Sequence, residues 1–200
     1  MGLRDILTGR HQVQGPAPDK LFAIATAYIA LQTEHEIDST GKAAIVFQPL
    51  ATSDFEATMR EMEEVVKATG GESGTDVSSQ DDSYGYRWMI VGNSSGQSSV
   101  EDLAVAINAV SDSIEGAGHG ERLLCAVFAF AAGAGSAAAA SRPVYFIYNY
   151  KRGFWYPFVP APGSEQRSTE RELQLKAQMA NELPIEPEIE RWFPLWGIPI

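Results

Sequence analysis

The segment Gly92-Asn93-Ser94-Ser95-Gly96 matches the G-x-S-x-G pattern of a nucleophile elbow and lies between a strand-like and a helix-like stretch. In that chemistry Ser94 attacks a carbonyl, His119 is the base, and Asp102 or Asp112 orients the imidazole. The spacing speaks against it. The following helix starts near Ser98, whereas an elbow begins its helix almost at the serine, and a small-residue loop produces the same pattern without chemistry. A small serine hydrolase using Ser94 and His119 is therefore the alternative reading, and the leading expectation is a protein that is not an enzyme. His11, His35 and His119 are far apart and none sits in an H-x-x-H arrangement, so neither a metal nor a cofactor is expected. Cys125, between Leu124 and Ala126, has the setting of an inert core thiol.

Recognition chemistry is better represented than catalytic chemistry. Lys151-Arg152-Gly153 fits a three-residue hairpin turn between aromatic flanks, with the glycine in the left-handed position. Such a tip presents two cations beside Tyr150, Phe154 and Trp155, a perch for an acidic or phosphorylated partner. A solvated turn that offsets an acidic surface is the plainer alternative. The tail carries Trp192, Phe193 and Trp196, which either fold back over the core or form a docking peptide. A module binding a small molecule or peptide is a further reading of the same aromatics.

The composition narrows the partners. The 200 residues hold 26 acidic and 15 basic side chains, a net charge of −11, which argues against binding nucleic acid. Any membrane contact is expected to be peripheral at most, through an N-terminal arm with Leu3, Ile6 and Leu7 between Arg4 and Arg10. One cysteine rules out an intrachain disulfide, and no secretory signal is visible, so the expectation is a cytoplasmic protein.

The elements that must position these residues follow from periodicity. Residues 1–18 read as an arm, 19–182 as one domain and 183–200 as a Pro- and aromatic-rich tail. Helices are expected at about 20–33 (Leu21, Ile24, Tyr28, Leu31), from Ser53 (Phe55, Met59, Met62, Val66) and at about 99–115 (Val100, Leu103, Ile107, Val110, Ile114). A last helix is expected from Thr169 to about Asn181. Capping boxes are read at Ser53/Glu56, Ser98/Glu101 and Thr169/Glu172. Strands are expected at 43–48, 84–91, 122–130 and 144–150, and residues 71–83 read as an acidic loop. The uncharged run Leu123 to Ser141 places its strong hydrophobes in the first half, so it reads as a strand leading into a loop rather than a membrane span. The resulting fold class is α+β: a single, largely antiparallel sheet with helices packed on one face.

The aromatic stretches carry a family likeness. Met1-Gly2 with Gly9-Arg10, Tyr84-Gly85-Tyr86-Arg87-Trp88 and Leu123-Leu124-Cys125 resemble members of the PspA-associated PspAB family. So do Tyr148-Asn149-Tyr150-Lys151-Arg152-Gly153-Phe154-Trp155-Tyr156-Pro157-Phe158, Leu183-Pro184-Ile185-Glu186-Pro187 and Arg191-Trp192-Phe193-Pro194-Leu195-Trp196-Gly197. The resemblance implies an accessory protein of a phage-shock, envelope-stress system that contacts protein partners. Those it suggests are PspA, a coiled-coil protein of the inner membrane, and a membrane metalloprotease of the HtpX type. By analogy it also suggests a type III-chaperone-like or YbjN-like sandwich. It carries over no catalytic residues.

Overall fold

The computed structural model describes residues 18–73, 76–93, 98–132, 143–163 and 165–200. Four helices occur among them: α1 (Pro18–His35), α2 (Ser53–Ser73), α3 (Val100–Gly116) and α4 (Thr169–Gln178). The strands are β1 (Ile37–Phe47), β2 (Asp76–Asp81), β3 (Arg87–Gly92), β4 (Leu123–Ala132), β5 (Pro143–Asn149) and β6 (Phe154–Phe158). They form one sheet in the order β2-β3-β1-β4-β5-β6, every pairing antiparallel. The molecule is thus an α+β protein with one antiparallel sheet.

Side-chain alternation sorts the sheet into two faces. Ala43, Ile45 and Phe47 of β1 turn toward the helices, with Met89, Phe128, Phe130 and Phe146. Helix α3 seals this layer with Val100, Leu103, Ile107, Val110 and Ile114, the full stripe expected from its period. Helix α1 adds Leu21, Ile24 and Leu31, and Pro18 opens it at a position where a missing N–H costs nothing. Ala44 and Val46 point the other way, into a second cluster with Trp88, Val127, Tyr156 and Phe158. Among the described residues no helix contributes to that cluster. The tail does: Trp192 is buried in the cluster, and Leu195, Trp196, Ile198 and Ile200 pack on it. Of the two readings of the tail, folding back over the core is the one realised.

Several local expectations are corrected. Strand β2 occupies Asp76–Asp81, inside the segment read as an acidic loop. Its sequence Asp-Val-Ser-Ser-Gln-Asp buries only Val77, because an edge strand needs one apolar anchor and backbone pairing with β3. Strand β1 begins six residues before the expected start. Its first half is polar and is held by pairing with β4 across an irregularity between Ser39 and Lys42. Strand β6 completes the hairpin after Lys151-Arg152-Gly153. The caps also move. Ser99, not Ser98, caps α3, its hydroxyl accepting from Asp102 N–H at 3.0 Å. At α2 the Thr52 hydroxyl accepts from Phe55 N–H at 3.4 Å, and Glu56 reaches Arg87 instead of its own helix start. Helix α4 ends at Gln178, and Glu172 serves the sheet rather than a capping box.

Glu172 lies buried beneath the end of β6. One oxygen accepts Val159 N–H at 2.9 Å and the other accepts Arg167 Nε–H at 2.8 Å. Arg167 in turn donates to the Trp192 carbonyl at 2.7 Å, so this carboxylate ties helix, strand and tail together.

Candidate functional site

A groove of about 550 Å³ opens on the tail-covered face. Its floor is a row of cross-strand neighbours: Trp88 pairs with Val46, Val46 with Cys125, and Cys125 with Asn149. One wall is the turn between β2 and β3. There Asp82 Oδ1 accepts Tyr84 N–H at 2.8 Å and Tyr86 N–H at 3.0 Å, while Oδ2 accepts the Trp88 indole N–H at 3.0 Å. Gly85, at φ 83°, supplies the left-handed residue that lets the chain turn between the two tyrosines. Burial disfavours the Asp82 carboxylate, but these four residues' donors outweigh it and hold its pKa below the ordinary value. The opposite wall is the tail, where Phe193, Pro194, Leu195 and Trp196 line the opening. Tyr84 (66% exposed), Phe193 (58%) and Tyr86 (37%) stand in solvent around it.

The residues singled out in the sequence divide sharply. Trp155 is fully buried, its indole N–H donating to the Lys20 carbonyl at 2.7 Å and its ring packed on Tyr148 and Phe128. Tyr150 is buried beside Tyr148, and burial pushes its phenol pKa far up. Trp192 is buried too, donating to the Glu186 carbonyl at 3.1 Å and stacked on Tyr156. All three side chains are buried in the protein's own core. Phe154 is half-buried between the cations of Lys20 and Arg152. Phe193 and Trp196 line the groove, and Lys151 stands exposed at its edge.

Arg152 is the main revision. It is not a free cation: its guanidinium grips the buried Glu186 through Nε and through Nη2 at 3.0 Å, and reaches Glu188 at 3.3 Å. Beside this clamp, residues 184–186 continue the sheet past β6, with Trp155 N–H donating to the Pro184 carbonyl and Glu186 N–H to the Trp155 carbonyl. The hairpin cation therefore fastens the tail. Burial disfavours ionised Glu186, but the Arg152 and Glu188 N–H donors prevail and hold its carboxyl below its ordinary 4.5. A depressed carboxylate stabilises above its unfolded pKa and loses that contribution as pH falls through its folded one. Below pH 4.5 the clamp should therefore weaken. Hydrogen exchange should show residues 183–192 opening there before the sheet does, and Glu186→Gln should remove most of that pH dependence.

The hydrolase residues are placed only in part. Ser94 lies outside the described residues, as does the arm at 1–17. His119 is half-buried, its ring edge-on to Phe55 at 5.1 Å. Gly92, the first residue of the G-x-S-x-G match, has a structural duty: at φ 145° it lies against Gly41, and an added Cβ would collide with the Gly41 carbonyl oxygen. Gly92→Ala should destabilise the protein by about 1–3 kcal/mol, measured by urea unfolding. Cys125 sits on the groove floor, but burial pushes its thiol up to about 12, so it stays protonated. Among the described residues no cluster of His, Cys, Asp or Glu could hold a metal ion, and no helix is long and apolar enough to cross a membrane.

A family model matches residues 1–200, the whole chain; its description is PspAB, PspA associated protein B. The chain belongs to the PspAB family. No curated protein and no solved structure matches it. One signal in the sequence points to the groove wall. Tyr84, Tyr86 and Trp88 recur with period two, the spacing that sends side chains to one side of an extended chain.

Proposed function

We propose that this PspAB protein is a non-enzymatic adaptor or regulator in a PspA-type envelope-stress response, working in the cytoplasm through protein–protein contacts. The observation that carries the reading is the groove rimmed by Tyr84, Tyr86 and Phe193, with Lys151 at its edge, on a family member associated by name with PspA. Aromatic side chains of this kind supply most of the binding energy at protein interfaces. The non-enzymatic part is supported by how the reactive groups are used: Cys125 is kept protonated by burial, His119 packs on Phe55, and the Asp82 carboxylate builds a turn. PspA is the leading partner, and an HtpX-type membrane protease is the second. Peripheral membrane contact through the arm belongs to the same proposal.

The test is affinity purification of the tagged full chain from its own host under envelope stress. PspA should co-purify with the wild-type chain and fall by about tenfold with Phe193→Ser or Lys151→Glu, since losing one hot-spot residue costs about 1–2 kcal/mol. Lys151 is the position to reverse, because reversing Arg152 would release the tail and confound binding with folding. Absence of PspA from the wild-type sample in stressed cells would contradict the reading.

A further inference from the structure

The charge around the groove decides what fits it. The chain carries a net charge of −11, yet the charge the groove offers is positive. Its lining has one carboxylate, Asp82, and both oxygens of that group are taken by Tyr84, Tyr86 and Trp88. The neighbouring cations are also taken: Arg152 by Glu186 and Glu188, Arg191 by Glu188, Arg87 by Asp81 and Glu56, and Arg167 by Glu172. Lys151 alone among the described groove residues presents a charge with no partner. Its backbone is fixed by Asn149, whose side-chain oxygen accepts Lys151 N–H at 3.0 Å, so the root of the side chain is anchored at the groove edge and the ammonium can reach across the mouth.

We infer that the groove takes an extended segment of a partner protein that seats a bulky apolar side chain among Tyr84, Tyr86, Phe193 and Trp196 and sets a carboxylate against Lys151. The inference rests on the adaptor reading and names the chemistry of the partner. A groove of about 550 Å³ holds one or two large side chains, the usual scale of a peptide anchor pocket. The acidic surface outside the groove repels a segment with many carboxylates, so the fit is a mostly apolar segment with one or two acids. A basic segment is drawn to the acidic surface at large but meets like charge at Lys151.

The probe is a phage library of random peptides, about twelve residues long, selected on the full-length protein. Peptides of this length lie in an extended groove with main-chain and anchor contacts. The selected sequences should share an aromatic or leucine residue with Asp or Glu close by. A synthetic peptide of that consensus should bind wild type and weaken by about tenfold or more on Tyr84→Ser, Phe193→Ser or Lys151→Glu. Exchanging its acid for the amide should weaken it on wild type and change nothing further on Lys151→Ala. Melting curves establish that the variants are folded, which is expected because the three side chains are exposed.

No consensus, a basic consensus, or a peptide indifferent to these substitutions overturns the proposal. So does Phe193-dependent sedimentation with phosphatidylglycerol vesicles in the absence of peptide binding, which would make the patch a lipid contact. The two levels separate cleanly. PspA retained by Tyr84→Ser and Phe193→Ser without a consensus sinks the groove and leaves the adaptor. A consensus that depends on the groove, without PspA in the purification, sinks the PspA assignment and leaves the groove.

Discussion

Trp192→Ala lowers the stability of the protein by about 3–5 kcal/mol, the cost of emptying a large aromatic site in a closed core. The indole is 2% exposed, stacked 6.4 Å from Tyr156, and capped by the Lys176 ammonium at 5.6 Å. Its loss removes the central contact between the tail and the second face of the sheet, and it strands the Glu186 carbonyl that accepted its N–H. A loss of this size moves the melting temperature of a 200-residue chain by about 6–20 °C. Trp192→Phe keeps the packing but not the hydrogen bond, and it should recover well over half of the loss. A melting curve for Trp192→Ala within about 2 °C of wild type would mean that the tail is an accessory and not part of the core.

The second large effect is expected at Glu172. Removing its carboxylate in Glu172→Ala leaves Val159 N–H buried without an acceptor and Arg167 without its anion. Breaking a buried, hydrogen-bonded charge pair from one side costs about 3–5 kcal/mol, more than the pair contributes relative to an apolar replacement. Urea unfolding measures the loss. Burial also pushes the Glu172 carboxyl above its ordinary value, in spite of the Val159 and Arg167 donors. The sign is opposite to that of Glu186. A raised carboxyl takes up its proton more readily when folded, so its share of stability falls as pH rises from the ordinary 4.5 through the folded value. Acid therefore relieves Glu172 while it weakens the Arg152–Glu186 clamp, and the low-pH response of the tail is set by the clamp.

The parts of this molecule written locally were legible in its sequence. Helix α3 is marked by an unbroken apolar stripe from Val100 to Ile114, and every residue of that stripe is buried. Strand β4 is apolar throughout, and β5 is so up to Asn149, because both faces of the sheet are covered, one by helices and one by the tail. What was not legible depends on long-range partners. Strand β2 has one apolar residue and exists because β3 pairs with it. Arg152 reads as a free tip cation until Glu186, 34 residues later, is brought against it. Trp155 and Phe193 are equally aromatic in the sequence, yet one is sealed under α1 and the other stands in water, a difference decided by how α1 and the tail pack on opposite faces of the sheet. The cap moved from Ser98 to Ser99 because the two serines are equivalent by type and only one can point at the free N–H of Asp102.

Among the candidate site residues this leaves Lys151, Phe193 and Trp196 at the surface and adds Tyr84 and Tyr86 to them. Tyr150 and Trp155 belong to the helix-side core, Trp192 seats the tail on the other face, Arg152 locks the tail that forms one wall, and Phe154 packs between Lys20 and that arginine. The groove thus depends on the tail's own packing: anything that loosens residues 185–192 removes the wall formed by Phe193, Pro194, Leu195 and Trp196.

The most direct test of the adaptor account is site-specific photo-crosslinking in the native host. A photoreactive phenylalanine analogue is placed at Phe193, at Tyr84, and at Ile29, which is 63% exposed on α1, on the opposite side of the sheet. The account predicts a crosslinked adduct with PspA from positions 193 and 84 under envelope stress, and none from position 29. Adducts of equal strength from all three positions, or an adduct only from position 29, would contradict it.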